Sequence, residues 1–254
     1  VSTRASRMNL RPLADRYEGL ARAAEQLLNL ELSEKQLRAF RLYGRELVAW
    51  NARFNLTAIT EPEAVEIKHF LDSLSCLMIS ELRPPAHIVD VGTGAGFPGL
   101  PLKIAFPQFR LTLVESVGKK VEFCRHIVRV LGLEGVEVIH ARAESLGRDE
   151  EHRGHYDWAV ARAVATAPVV LEYLLPLLRL QGYALLQKGA TGPAEIHSAE
   201  HALAVLGGEV RRMIPVELPR VAEPRYLIMV EKTAATPEKY PRRPGLPGKR
   251  PLVP

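Results

Sequence analysis

The sequence predicts an α/β fold: a doubly wound, mainly parallel, Rossmann-like sheet of seven strands with a terminal antiparallel hairpin, preceded by an N-terminal helical region. Three observations carry this. From Pro84 onward, short apolar runs alternate with helical stretches, the pattern of strands joined by crossover helices. The run Ile88-Val-Asp-Val-Gly-Thr-Gly-Ala-Gly ends a candidate strand in three glycines just ahead of a helix. Before residue 83 the apolar spacing is helical instead.

The elements follow in chain order. Leu13 to Leu30 shows a weak helical pattern. Ser33-Glu-Lys-Gln36 is a capping box, and Leu37, Phe40, Gly44, Leu47 and Val48 then share one helical face. Asn51 to Thr60 reads as a loop. Thr60-Glu-Pro-Glu63 restarts a helix towards Ser80, with proline in its first turn. Strands are expected at His87–Val91, Arg110–Glu115, Val136–His140, Tyr156–Ala161 and Tyr183–Gln187. Helices are expected at Leu100–Ala105, Val117–Leu131, Glu144–Leu146 and Ala167–Leu180, and a single one at Pro193–Leu206. Glu209–Leu218 and Arg225–Lys232, joined through Pro219 to Pro224, read as an edge hairpin. Beyond Lys232, six prolines in 22 residues are expected to exclude regular structure. This gives a helical region over residues 1–82, a cofactor-binding sheet domain over 83–232, and a basic proline-rich tail over 233–254.

With 47% hydrophobic and 25% charged residues, the chain is not a disordered one. Cys76 and Cys124 are far apart, and the eight histidines form no HExxH or HxH cluster, so neither a disulfide scaffold nor a metal site is expected. Cys124 falls on an apolar helix face and reads as core. Trp50 and Trp158 have apolar neighbours and read as packing residues. The most apolar stretch, Val164 to Leu180, is broken by Pro168, Glu172, Pro176 and Arg179, so no membrane span is expected. The basic N-terminus has no apolar core after it, which argues against a signal peptide and for the cytoplasm. The net charge of +5 is uneven: residues 1–16 carry +3 and residues 233–254 carry +4, leaving the body at −2. Two basic ends on a near-neutral body suit a polyanion such as nucleic acid, although they could serve solubility alone. No long apolar stripe asks for a partner copy, so a monomer is expected.

The glycine loop is the most informative stretch. Glycines at 92, 94 and 96 allow a tight turn and close approach of the backbone to a ligand. Glu115 ends the next strand 21 residues after Gly94, the spacing at which a carboxylate reaches the hydroxyls of an adenosine ribose. No Gly-Lys-Ser/Thr is present, which excludes a nucleoside triphosphatase loop. Phe97 and Pro98 stand where a dinucleotide would seat its pyrophosphate, and Asp90 would repel one. S-adenosylmethionine has no phosphate, and its cationic groups favour a nearby carboxylate. The terminal hairpin also matches methyltransferase sheets better than dehydrogenase sheets, by fold-level analogy.

Longer motifs narrow this further. Asn55-Leu-Thr-Ala-Ile59, Lys68-His-Phe-Leu-Asp-Ser-Leu74, Asp90-Val-Gly-Thr-Gly-Ala-Gly-Phe-Pro-Gly-Leu-Pro-Leu-Lys103, Arg142-Ala-Glu144, Ala161-Arg-Ala163, Gln187-Lys-Gly189 and Tyr240-Pro-Arg-Arg-Pro-Gly245 resemble the bacterial ribosomal RNA small subunit methyltransferase G family, also called glucose-inhibited division protein B. The resemblance spans residues 30–250 and departs only in extra length over residues 1–15. It implies methyl transfer from S-adenosylmethionine to guanine N7 in the 530 loop of 16S ribosomal RNA, free or in the small subunit. It places cofactor contacts on Gly92, Gly94, Phe97, Glu115, Ser116, Val117, Ala143, Glu144 and Arg162. His69 enters as an RNA-side contact.

Guanine N7 carries a free lone pair, so the implied reaction needs no general base, and in-line positioning should dominate. Arg142, Arg162 and Lys188 end three predicted strands, on the rim where open parallel sheets bind ligands. Each alone could be a solvated charge. Together they are expected to grip RNA phosphate and the cofactor carboxylate. Lys68 and Asp72, one helical turn apart, read as an ion pair beside a core-facing Phe70. The rival readings are a methyltransferase acting on a small molecule, an NAD-dependent oxidoreductase, and a non-catalytic ribosome-binding relative.

Overall fold

The computed structural model describes residues 18–253. The basic segment 1–16 and the start of the Leu13 to Leu30 helix lie outside them. Seven strands form one sheet in the order β3-β2-β1-β4-β5-β7-β6. These are β1 His87–Val91, β2 Arg110–Glu115, β3 Val136–His140, β4 Tyr156–Arg162, β5 Leu178–Lys188, β6 Gly208–Val216 and β7 Arg225–Lys232. β1 to β5 pair in parallel, and β7 runs antiparallel between β5 and β6. The chain winds outward from β1 through β2 to β3, then returns to place β4 on the other side of β1. The crevice beyond the β1 and β4 ends is therefore the switch point at which such sheets bind ligands.

Side-chain alternation assigns each strand residue to a face. Ile88, Leu111, Leu113, Trp158, Val160, Leu185 and Leu227 pack under the N-terminal helices and those at Gly99–Ala105 and Gly118–Val130. Val89, Val91, Val114, Ala159, Leu186 and Ile228 face the Ala167–Leu174 helix and the C-terminal segments. Cys76 and Cys124 are buried thiols, and Trp158 is core, as expected. Trp50 packs half-buried on Phe54 and Phe123.

The capping box forms, with Ser33 N–H donating to Gln36 Oε1 and Gln36 N–H to Ser33 Oγ. The helix it starts runs from Glu34 to Phe54, so Asn51 to Phe54 are helical rather than loop. Its buried face includes Tyr43, while Val48 is exposed, because the contact stripe drifts round this long helix. Residues 62–78 form one broken helix: Pro62–Val65, a π-helical turn at Glu66–Leu71, Asp72–Leu74, and a 3-10 turn at Ser75–Met78. β5 begins at Leu178, earlier than expected, so the preceding helix stops at Leu174 with a short 3-10 turn. The single helix expected over Pro193–Leu206 is two, Gly192–His197 and Glu200–Leu206.

The C-terminal tail corrects a larger expectation. It contains a helical turn at Leu246–Lys249 and lies packed against the domain. Tyr240 joins the core of the second face. Arg153 donates to the carbonyls of Tyr240 and Thr236, and Arg148 to that of Pro241. Arg242 grips the fully buried Glu172 with two guanidinium nitrogens, at 2.9 and 2.6 Å. One of the tail's basic residues is thus consumed internally, while Lys239, Arg243, Lys249 and Arg250 stay exposed. Removing Arg242 would strand a buried carboxylate. Arg242→Ala should lower the unfolding free energy by about 3 kcal/mol, measured by urea titration, and Glu172→Leu on that background should recover part of the loss.

Candidate active site

The glycine loop is held from beneath by two carboxylates. Asp90, fully buried near the end of β1, accepts from Thr93 Oγ1 at 2.7 Å and from Gly99 N–H at 2.8 Å through Oδ2. Burial pushes its carboxyl up to about 6, against those two hydrogen bonds, and its Oδ1 has no partner. The first free amide of the Gly99–Ala105 helix is therefore already taken by a carboxylate. A phosphate has no seat there, which fits the expected cofactor chemistry. Asp90 itself is sealed below the loop and supports it rather than facing a ligand.

Glu115 does the same from β2. Its Oε2 accepts from Gly94 N–H at 3.0 Å, and its Oε1 accepts from Ser116 and Val117 N–H at 2.7 and 2.8 Å. Three backbone amides fix a carboxylate with lone pairs to spare. Gly94 has φ +62, and a Cβ there would meet nothing closer than Gly92 O at 4.0 Å, whereas a Cβ on Gly92 (φ +69) would strike Val164 at 2.7 Å. The loop therefore presents bare backbone at Gly94. Tyr43, whose hydroxyl donates to Ala95 O, ties it to the N-terminal helices.

A cavity of about 630 Å³ opens from this loop. Gly92, Gly94 and Phe97 line it, as do Arg162, Lys188, Asp72, Gln187 and Arg225. The expected residues divide as follows. Gly92, Gly94, Phe97, Arg162 and Lys188 line the cavity together with Lys68, His69 and Asp72. Glu115 lies just behind the loop. Ser116, Val117, Ala143 and Glu144 do not line the cavity. Glu144 is buried, with Oε1 accepting from Gly245 N–H at 2.8 Å, so its carboxylate anchors the tail. Arg142 is exposed at the end of β3 and does not converge with the other two cations.

Alternation explains the fates of Arg162 and Lys188. Arg162 pairs with Gln187 across β4 and β5, and Gln187 with Leu227 across β5 and β7, so Arg162, Gln187, Leu227 and Arg225 share one sheet face. The broken helix covers that face. Arg162 donates to Asp72 Oδ2 at 2.8 Å and lies over the Phe97 ring, with its guanidinium carbon 4.9 Å from the centroid. Asp72 thus pairs with Arg162, not with Lys68 as the helical spacing suggests, and Phe70 is core as expected. Lys188, one residue beyond Gln187, emerges on the other face. There it donates to Glu195 Oε2 at 2.7 Å and to Ala165 O, with its side chain 8% exposed. It clamps the loop after β4, where Ala163 has φ 54, and is not a free cation for phosphate.

His69 stacks on Phe97 with ring centroids 4.5 Å apart. Arg162 has only donors, so the 3.4 Å contact assigns Nδ1 as acceptor and leaves Nε2–H to donate to Thr57 Oγ1 at 2.9 Å. Burial, then the charge of Arg162, brings its pKa down to about 3. Sequence reasoning gave no role to Gln187, Arg225, Lys120 or Thr57. Gln187 and Thr57 lie inside the quoted motifs, which was the available signal. Arg225 and Lys120 carried none, since only strand register and loop packing bring them to the cavity.

The His69 assignment sets a pH dependence. A depressed folded pKa means that below pH 6.5 the unfolded chain binds a proton the folded chain refuses, so stability is lost as pH falls from 6.5 towards 3. Asp90, with its pKa raised, acts in the opposite sense: its contribution is present below about 4 and lost as pH rises through about 6. Comparing wild type with His69→Asn isolates the histidine. Between pH 6 and 4 the wild type should lose up to about 1.4 kcal/mol per pH unit more than the variant, measured by urea titration at each pH.

A family model described as rRNA small subunit methyltransferase G matches residues 36–220. The chain is similar to proteins named ribosomal RNA small subunit methyltransferase G from several bacteria. It is 46% identical to that of Alkaliphilus metalliredigens, covering 89% of this chain and 95% of the relative. It is 45% identical to that of Desulfitobacterium hafniense, covering 95% and 100%, and 50% identical to that of Roseiflexus castenholzii, covering 88% and 95%. Among solved structures, an SAM dependent methyltransferase from Aquifex aeolicus superposes with a TM-score of 0.51 at 19% identity, over 67% of this chain and 94% of that one. TrmN from Thermus thermophilus superposes with a TM-score of 0.50 at 22% identity, over 63% and 48%. These two bear on the fold alone.

Proposed function

The chain belongs to the rRNA small subunit methyltransferase G family, and we propose that it methylates N7 of a guanine in the 530 loop of 16S ribosomal RNA. It is an S-adenosylmethionine-dependent rRNA methyltransferase. The observation that carries the cofactor assignment is the glycine corner itself. Its helix amide is occupied by Asp90, so it offers no phosphate seat, while Glu115 is held by Gly94, Ser116 and Val117.

S-adenosylmethionine, when bound, supplies an electrophilic methyl group on a sulfonium. The residues that would hold it are Glu115 at the ribose hydroxyls, the bare backbone of Gly92 and Gly94, Phe97, and the main chain at Ser116, Val117, Ala143 and Glu144. Arg162 borders the same cavity. No proton need be removed from guanine N7, and His69, with both nitrogens engaged and its pKa brought down to about 3, stays neutral near pH 7 and orients. Excluding water and aligning the purine are the tasks left to the protein. Arg142 and the exposed tail cations remain candidates for RNA phosphate, whereas Lys188 and Arg242 are spent on internal ion pairs. The same reading has the enzyme acting as a monomer in the cytoplasm, where the RNA lies. Among the described residues no helix is long and apolar enough to cross a membrane.

The direct test is transfer of labelled methyl from S-adenosylmethionine to unmethylated 16S RNA, mapped by borohydride and aniline cleavage at N7-methylguanosine. A single cut in the 530 loop is expected, and no incorporation into RNA or subunits would overturn the reading. Glu115→Gln turns an NH2 group towards at least one backbone N–H. It should raise the KM for S-adenosylmethionine roughly tenfold or more with a smaller change in kcat, in steady-state methyl transfer at saturating RNA.

A further inference from the structure

Beside the glycine loop the cavity is lined by a second polar arrangement. Arg162, Gln187 and Arg225 stand on adjacent strands of one sheet face, and all three meet Asp72 on the helix above. Arg162 donates to Asp72 Oδ2 at 2.8 Å, and Gln187 Nε2 donates to the Asp72 carbonyl at 2.6 Å. Arg225 Nε lies 3.5 Å from Asp72 Oδ1, an ion-pair distance at which the hydrogen bond is not made. Arg225 Nε is accordingly a buried donor without a partner, and Gln187 Oε1 beside it is a buried acceptor without one. Asp72 lines the cavity and is itself 5% exposed. Its Oδ2 is well bound, and its Oδ1 is not.

Resting on the reaction proposed above, we propose that Asp72 reads the Watson–Crick edge of the target guanine, its carboxylate accepting from guanine N1–H and the N2 amino group. Three arguments lead there. A base that must present N7 to the methyl group cannot also be read on its Hoogsteen edge, so recognition falls to the Watson–Crick edge, as for other bases held in pockets. That edge of guanine carries two adjacent donors, and their complement is a carboxylate. Adenine presents a lone pair at N1, which a carboxylate repels.

Elimination then selects the residue. Among the described residues that line the cavity, only Asp72 and Glu195 carry carboxylates. Glu195 already accepts from Lys188, the Thr191 hydroxyl and Ala167 N–H, and it is held with Lys188 on the sheet face opposite to Arg162.

The same contact favours the chemistry. N7 uses its lone pair to form the bond to carbon, and the carbon–sulfur pair returns to sulfur. The purine becomes a cation, and its N1–H becomes a stronger donor. A carboxylate at N1–H therefore binds the transition state more tightly than the ground state. Asp72 also offsets the charges of Arg162 and Arg225, which would otherwise oppose a developing cation. Arg225, freed from its long contact, is placed to donate to O6.

The test compares guanosine with inosine, which lacks the N2 amino group, at the single methylated position. The two RNAs are presented in whichever form the wild type methylates. Wild type should lose roughly 10-fold to 100-fold in kcat/KM on inosine, the range for one hydrogen bond to a charged acceptor. Asp72→Asn should treat the two RNAs alike, because Arg162 claims the one remaining oxygen and turns the amide NH2, a donor, towards the base. A purely structural role for Asp72 would slow both RNAs and leave their ratio unchanged, and that ratio would overturn the proposal. So would a wild type indifferent to inosine. If Asp72→Asn turns over too slowly to compare, competition binding of the two RNAs in the presence of S-adenosylhomocysteine reads the same ratio. Failure of wild type on every guanosine RNA would instead overturn the proposed function.

Discussion

The site depends on two carboxylates that spend themselves on backbone N–H groups. Asp90 and Glu115, at the ends of the two adjacent strands β1 and β2, accept from Gly99, Gly94, Ser116 and Val117. A glycine loop has the largest conformational entropy to lose on ordering. Charge-assisted hydrogen bonds are the means of offsetting that loss without adding side chains that would fill the ligand's space. Asp90 takes up the anion seat that a helix start otherwise offers, and Glu115, the proposed ribose partner, is fixed by three backbone amides. The choice of cofactor is thus made largely by the folded chain before any ligand arrives. The burial of Asp90 costs stability, since its carboxyl is pushed up to about 6, and the hydrogen bonds it makes only partly offset that cost.

On the other side of the crevice, strand alternation decides which charges meet. Arg162 and Gln187 are side by side and Arg225 is one step along the same face, so one helix carrying Asp72 engages all three. Lys188 is adjacent in sequence to Gln187 yet serves the opposite face, holding the loop that carries Ala165. A π-helical turn precedes Asp72, and such turns often mark functional sites. It delivers His69 onto Phe97, whose ring is sandwiched between that imidazole, the Arg162 guanidinium and Tyr43. A basic rim read from sequence becomes, in the fold, an ion-paired network with few uncommitted charges.

What was legible in the sequence was whatever local chemistry dictates. β1, β2, β3 and β7 begin and end where the apolar runs do, and the Ser33 capping box, the three glycines and Glu115 fall as their spacing implies. What was not legible depended on distant partners. Nothing near Arg242 announces that Glu172 lies buried beneath it, and six prolines in the tail implied no regular structure, yet a helical turn forms at Leu246–Lys249. A chain held by Arg148, Arg153 and Glu144 needs no regular structure to be ordered. Likewise, Lys68 and Asp72 at helical spacing imply a pair, but Arg162 offers a planar, desolvated donor at 2.8 Å and takes the carboxylate. Asp72, Arg162, Gln187 and Arg225 are spread over more than 150 positions, and only sheet register assembles them.

The cofactor corner is built before the cofactor binds. Amide hydrogen exchange of the ligand-free protein, resolved residue by residue by NMR, tests it most directly. Gly94, Ser116, Val117 and Gly99 N–H should exchange slowly, as groups bonded to buried carboxylates, and Glu115→Ala should release the first three while leaving Gly99 protected by Asp90. Fast exchange at Gly94 in the free wild-type protein, with protection appearing only on addition of S-adenosylmethionine, would contradict it.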